Sequence, residues 1–205
     1  MLTVLCIVVG ALVVGLRHPA APAERMVLLQ QPPASPVAQV QQQRAVAPAS
    51  AAAPARIGDW TPGIGRQIAR RAAQWLGWPY SFGAGNGNGP TYGHAVDHDS
   101  RNDAHVFGFD CSGLTMFALS PWRGLPHSAA AQYHAAGSYH PALDQLEPGD
   151  FIFWSPDGTV NGIGHVAVYV GNGQVVQAPR SGLDVTVTPL YSVERAYMGA
   201  TRPLS

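Results

Sequence analysis

The 205 residues are enough for one medium-sized domain with extensions. Twelve basic and twelve acidic side chains give a formal charge of zero, which excludes a general electrostatic attraction to nucleic acid. Ala, Gly and Pro are abundant and charged residues make up only 12%, so alanine content alone carries no helix signal here.

Residues 1–16, MLTVLCIVVGALVVGL, carry no charged side chain. The run falls short of the ~20 apolar residues of a spanning helix. It suits the apolar region of a signal peptide, with Ala21-Pro22-Ala23 as an A-x-A-like cleavage site. No Lys or Arg precedes the run, and Arg17 and Arg25 follow it, the reverse of the usual export pattern. Segment 1–23 is therefore read as a signal peptide or an uncleaved membrane anchor, making the rest secreted or membrane-anchored and extracytoplasmic. Leu5 before Cys6 argues against lipid attachment. Residues 24–58 are rich in Ala, Pro and Gln without a sustained apolar period, and read as a disordered linker. The domain is expected over 59–205, with order beginning near Trp60.

Ile64, Ile68, Ala72 and Trp75 recur at helical spacing and predict a helix over 63–77, with Gly77 as cap and Pro79 as stop. A Gly-rich loop, PYSFGAGNGNGPTYG, follows, and residues 86–106 read as a long surface insertion. A second helix is expected from Cys111 to before Pro121, burying Leu114, Phe117 and Ala118. After a turn at 145–149 come strands at 151–154 and 165–170. A Gly171-Asn172-Gly173 hairpin loop leads to a strand at 174–178, and two more follow at 184–188 and 196–202. Helices followed by an antiparallel meander define an α+β fold.

Cys111 would be the lone cysteine of an exported chain, so it is either reactive or an intermolecular linker. A thiol attacks as thiolate, which a helix N-terminus and a nearby imidazolium both favour. Asp110 stands in N-cap position and Gly113 keeps the entry uncrowded. In isolation, a cysteine at a helix start reads as a small buried residue. A nucleophile needs a base, and His165 opens a strand after the glycine-bearing loop 161–164. His165, Ala167 and Tyr169 share one face; Val166, Val168 and Val170, on the other, are expected in the core. If the Cys111 helix covers the His165 face, thiol and imidazole meet. A three-residue hairpin loop pairs Ala167 with Gln177 and sets Gln177 diagonally across from His165, where its carbonyl can fix the ring's tautomer. Taken alone, Gln177 reads equally as an ordinary strand residue. His127 is the rival base. His94, His98 and His105, with Asp97, Asp99 and Asp103, match no strong zinc spacing and read as a solvated loop.

FDCSGLTMF, LEPGDFIFW and GHVAVYVGNGQVVQAP, in that order, resemble the NlpC-type (NlpC/p-sixty) cell-wall peptidases, a papain-like family. PYSFGAG and LPHSAAAQY resemble that family's segments before and after the nucleophile, so the likeness covers roughly residues 64–203. It implies helices packed on an antiparallel sheet and a cysteine endopeptidase cutting peptidoglycan stem peptides between the D-glutamate γ-carboxyl and a diamino acid. By the same resemblance Cys111 matches the nucleophile, His165 the base and Gln177 the orienting residue, a position often held by His. Tyr80, Asp110 and Ser112 match residues near or bounding the substrate pocket, with Gly164 beside the base. The 86–106 insertion departs from the family's pattern. The reading expects no cofactor, no metal, no nucleic-acid partner and a monomer. Its rivals are a weak or inactive wall-binding module and an amidase or acyltransferase on the same scaffold.

Overall fold

The first helix, α1, spans Pro62–Ala73. The Thr61 hydroxyl caps it by accepting the Ile64 N–H at 3.1 Å, and Pro62 takes the first-turn position where no N–H is needed. Ile68, Ala69 and Ala72 face the core. The helix stops at Ala73, short of the expected Gly77. The Trp75 and Leu76 N–H groups bond back three residues, to Ala72 and Ala73, both at 3.2 Å, and Gly77 then turns the chain at φ 79°. The structure, a computed structural model, describes residues 59–100, 102–192 and 196–205; the expected leader and linker lie outside the described residues.

Helix α2, Cys111–Leu119, is buried on almost every side. A helix apolar all round belongs inside a core, and Leu114, Phe117, Ala118 and Leu119 supply the packing. Arg71 of α1 reaches its C-terminal end, donating Nη2 to the Phe117 carbonyl at 2.8 Å and Nε to Ala118 at 3.2 Å. Those last carbonyls lack helical partners. A third helix, α3, Ala129–Ala135, was not expected from AAAQYHA. Its buried Gln132 fastens it to α2, donating to the Ser112 carbonyl at 3.0 Å and accepting from the Thr115 hydroxyl at 2.6 Å.

Thr91–Tyr92 (β1) and Phe107–Gly108 (β2) form a small antiparallel ribbon. The main sheet contains β3 (Phe151–Trp154), β4 (His165–Gly171), β5 (Gln174–Gln177), β6 (Thr186–Pro189) and β7 (Tyr197–Thr201), in the order β6-β5-β4-β3-β7, antiparallel throughout. The expected meander holds from β3 to β6. The last strand departs from it, returning to the far edge beside β3. There Arg202 donates Nε and Nη2 to the fully buried Asp150 carboxylate, each at 3.0 Å.

The β4–β5 hairpin corrects one expectation and rescues another. Val168 opposes Val176, Tyr169 opposes Val175, and Gly171 opposes Gln174, so the loop is Asn172-Gly173 alone. Both loop residues take positive φ, 53° and 70°, as such turns require. A two-residue loop by itself would turn Gln177 to the wrong face. A bulge between Tyr169 and Gly171 supplies the extra residue and restores the register.

The sheet is apolar on both faces. Phe151, Phe153, Val166, Val168 and Val176 pack with Ile68, Leu114 and Phe117 of the helices. Ile152, Trp154, Ala167 and Val175 form a second cluster with Leu190 and Ala200. The helices therefore cover the valine face, and the expectation that α2 packs on the His165 face is wrong. That face is filled by Leu190, Tyr169 and Tyr197. His165 sits at the first position of β4, and thus enters the cleft from the strand's end.

Candidate active site

Cys111 opens α2 and is half-buried. Asp110 before it is 8% exposed and gathers four donors. Its carboxylate accepts the Gly113 N–H at 2.6 Å, the Ser112 hydroxyl at 3.0 Å, the Gly83 N–H at 3.0 Å and His127 Nε2 at 3.0 Å. One side chain thus caps α2 and ties its first turn to the 83–85 loop and to the segment before α3. Gly113 is required there, because an added Cβ would collide with the Ala84 carbonyl oxygen. The hydrogen bond to Asp110 raises the His127 pKa above its ordinary value, with partial burial opposing it.

His165 is 3% exposed and Gln177 5%. His165 Nε2 lies 2.7 Å from Gln177 Oε1, and Gln177 Nε2 donates to the Thr188 hydroxyl at 2.7 Å. With its amide N–H committed to Thr188, Gln177 presents a carbonyl to the ring. A proton on His165 Nε2 would donate to that carbonyl. The Trp154 ring, 5.4 Å away centre to centre, packs beside the imidazole.

Cys111 and His165 line one cleft of about 310 Å³, together with Tyr80 and Gly164. Gln177 stands behind His165. Asp110 and Ser112, expected at the pocket's edge, are instead turned into the fold beneath it, where Ser112 bonds Asp110. His127 is held on Asp110 and does not line the cleft.

The rest of the cleft was missed in the sequence. Phe82, Pro179, Arg180 and Ser181 line it, and so do Asp97, Asp99 and Ser100 of the 86–106 segment. That segment is no mere surface loop. Asp103, 3% exposed, accepts the Phe82 N–H and the Ser181 hydroxyl, both at 2.7 Å, and its carbonyl accepts the Ser81 hydroxyl at 3.0 Å. The Asp97-x-x-Ser100 spacing is a legible turn signal; nothing in it reveals the long-range anchor. Among the described residues, no three His, Cys, Asp or Glu side chains converge as metal ligands would. No described helix is long and apolar enough to cross a membrane.

A cysteine at a helix N-terminus and a histidine at the start of a strand, opening on one cleft in an α+β frame, define a papain-like fold. The chain belongs to the NlpC/P60 family, whose model matches residues 77–202. Peptidoglycan endopeptidase RipA of Mycobacterium tuberculosis is 40% identical over 124 residues, covering 60% of this chain and 24% of the relative. A solved RipA structure superposes with TM-score 0.58 at 35% identity, covering 69% of this chain and 62% of that one. RipD of M. tuberculosis, described as a non-catalytic NlpC/p60 domain protein adapted to peptidoglycan binding, gives 0.55 at 28%, covering 68% and 96%. The chain spans less than half the length of the curated relatives it matches.

Proposed function

We propose that this protein is a cysteine endopeptidase of the cell wall that hydrolyses peptidoglycan stem peptides at the bond from the D-glutamate γ-carboxyl to the diamino acid. The observation that carries this reading is the 2.7 Å contact between His165 and Gln177 beside the cleft that Cys111 and His165 share. The peptidoglycan endopeptidases among its relatives supply the substrate class. RipA has been solved in forms mutated at a cysteine, a histidine and a glutamate, with the last two 12 residues apart. His165 and Gln177 have the same separation of 12.

Cys111 is the nucleophile, its thiolate favoured by the partial positive charge of the α2 N-terminus. His165 takes the thiol proton on Nδ1, while Gln177 holds the proton on Nε2. The thiolate sulfur attacks the scissile carbonyl carbon, and the Cys111 backbone N–H stabilises the oxyanion. As the C–N bond breaks, His165 returns its proton to the leaving amine. Water, deprotonated by His165, then cleaves the thioester and releases the D-glutamyl carboxylate. Tyr80 and Gly164 form the cleft wall that seats the peptide, and Asp110 with Ser112 fixes the helix end beneath it. The leader and linker, 1–23 and 24–58, carry a monomeric 59–205 domain to the wall, outside the cytoplasm.

Purified wall digested by the wild type and analysed by mass should yield fragments ending in D-glutamate, absent with Cys111→Ala. Identical fragments from both proteins would overturn the reading. A RipD-like role in binding alone is the second reading, and the complete Cys111–His165–Gln177 set favours turnover. Acyl transfer products or other termini in the digest would point to the amidase or transferase alternative.

A further inference from the structure

Asp110 answers two demands that conflict. As N-cap of α2 it accepts the Gly113 N–H at 2.6 Å and the Ser112 hydroxyl at 3.0 Å, and it also holds the Gly83 N–H at 3.0 Å. Those bonds fix the first turn, on which Cys111 stands. The same carboxylate belongs to the residue next to Cys111, and a neighbouring anion disfavours a thiolate. α2 carries no charged side chain of its own to offset it. His127, from the segment before α3, brings the opposite charge. Its Nε2 lies 3.0 Å from one Asp110 oxygen and 3.1 Å from the other. The hydrogen bond to Asp110 is the main cause that raises the His127 pKa; burial opposes it, and the carboxylate charge adds to it. The ring therefore keeps its proton to a higher pH than an ordinary histidine. His127 does not line the cleft, so its influence on the chemistry passes through Asp110.

Resting on the reading of Cys111 as nucleophile, we propose that His127 is a positioning residue for the reaction, whose imidazolium neutralises Asp110 so that α2 keeps its cap while the thiolate forms beside it. When the ring loses its proton, the hydrogen bond to Asp110 remains but the compensation is gone, and the carboxylate then opposes the thiolate. Other titratable and charged groups share the cleft with Cys111. They are His165 of β4, Tyr80 of the loop after α1, Arg180 of the loop after β5, and Asp97 and Asp99 of the 86–106 segment. All of them stay in place when His127 alone is changed, so a variant there isolates one contribution.

Alkylation of Cys111 by iodoacetamide, followed against pH on the full chain, tests this. It reads the thiolate without turnover, and mapping the adduct by mass separates Cys111 from Cys6. His127→Gln keeps an N–H for Asp110 and removes the charge, whereas His127→Arg keeps both. The glutamine variant should move the acid limb of the alkylation profile up by about one pH unit, and the acid limb of wall cleavage with it. The arginine variant should hold both limbs where the wild type has them. A uniform loss at every pH in the glutamine variant, with the limb unmoved, makes His127 a structural support and overturns the proposal. Equal shifts in both variants overturn it too. Lost turnover with unchanged alkylation would make His127 the base, which also overturns it. A shifted alkylation limb without wall cleavage by the wild type supports the proposal and sinks the hydrolase reading. An unshifted limb with cleavage sinks the proposal alone.

Discussion

Asp110 and Asp103 each hold backbone and hydroxyl donors around the cleft, yet the regions they fasten differ in kind. Asp110 caps a helix that Leu114, Phe117 and Leu119 already bury. Asp103 anchors a mostly exposed segment whose regular structure, among the described residues, is the short strand β1 and a 3₁₀ turn at Asp103–His105. In the first region apolar burial sets the position and the carboxylate refines it. In the second a few polar bonds set the position themselves. Cys111 and His165 thus stand on a frame stabilised by many small contributions, while the 86–106 segment is held by a few polar bonds centred on Asp103.

That contrast predicts different failures. Leu114→Ala should cost about 2–5 kcal/mol of global stability. Denaturant melts should show one cooperative loss, and kcat per folded molecule should change little. Asp103→Ala strips the Phe82 N–H and Ser181 hydroxyl of their acceptor, at about 1–3 kcal/mol. Its signature should be local: faster proteolysis within 86–106 and a raised KM. A cooperative global loss from Asp103→Ala would erase the distinction between the two regions.

Within the frame, Gln177→Ala should lower kcat by about ten- to a hundredfold, part of the ~10²–10⁴ that a positioned acid–base supplies. Gln177→Glu should restore turnover and move the alkaline limb of the pH–rate profile upward, because a carboxylate favours the imidazolium. The smallest effect on stability belongs to His127. Its pKa is raised by Asp110, so the stabilisation is complete below the unfolded histidine value of about 6.5. It is lost as pH rises through the raised folded value. With 31% of the side chain exposed, His127→Gln should cost less than about 1 kcal/mol, and only on the acid side. Thermal melts of both proteins across pH would show the gap closing as pH rises.

The sequence made the frame legible and left the place of the 86–106 segment at the cleft hidden. Asp110 before an apolar run and the Gly171-Asn172-Gly173 turn between alternating segments are local signals, and they pointed to Cys111, His165 and Gln177. The covered face of β4 was not legible, because Ala167 is buried as fully as Val166 and Val168 and Tyr169 is partly buried beside it, so apolar character does not separate the two sides. The Tyr169–Gly171 bulge left no mark either, and the correct register for Gln177 came from a loop counted one residue too long. Helix α3 is short and held by Gln132, a tertiary contact. Asp97, Asp99 and Arg180 reach the cleft through Asp103 and Ser181, whose bond spans 78 residues of sequence and has no periodicity to betray it.

The most direct test of the account is the covalent intermediate. Protein quenched in acid during turnover of L-Ala–γ-D-Glu–diaminopimelate should carry the L-Ala–γ-D-Glu acyl group as a thioester on Cys111, removable by hydroxylamine and absent from Cys111→Ala. Undiminished cleavage by Cys111→Ala, or an acyl group mapped to another residue, would contradict it.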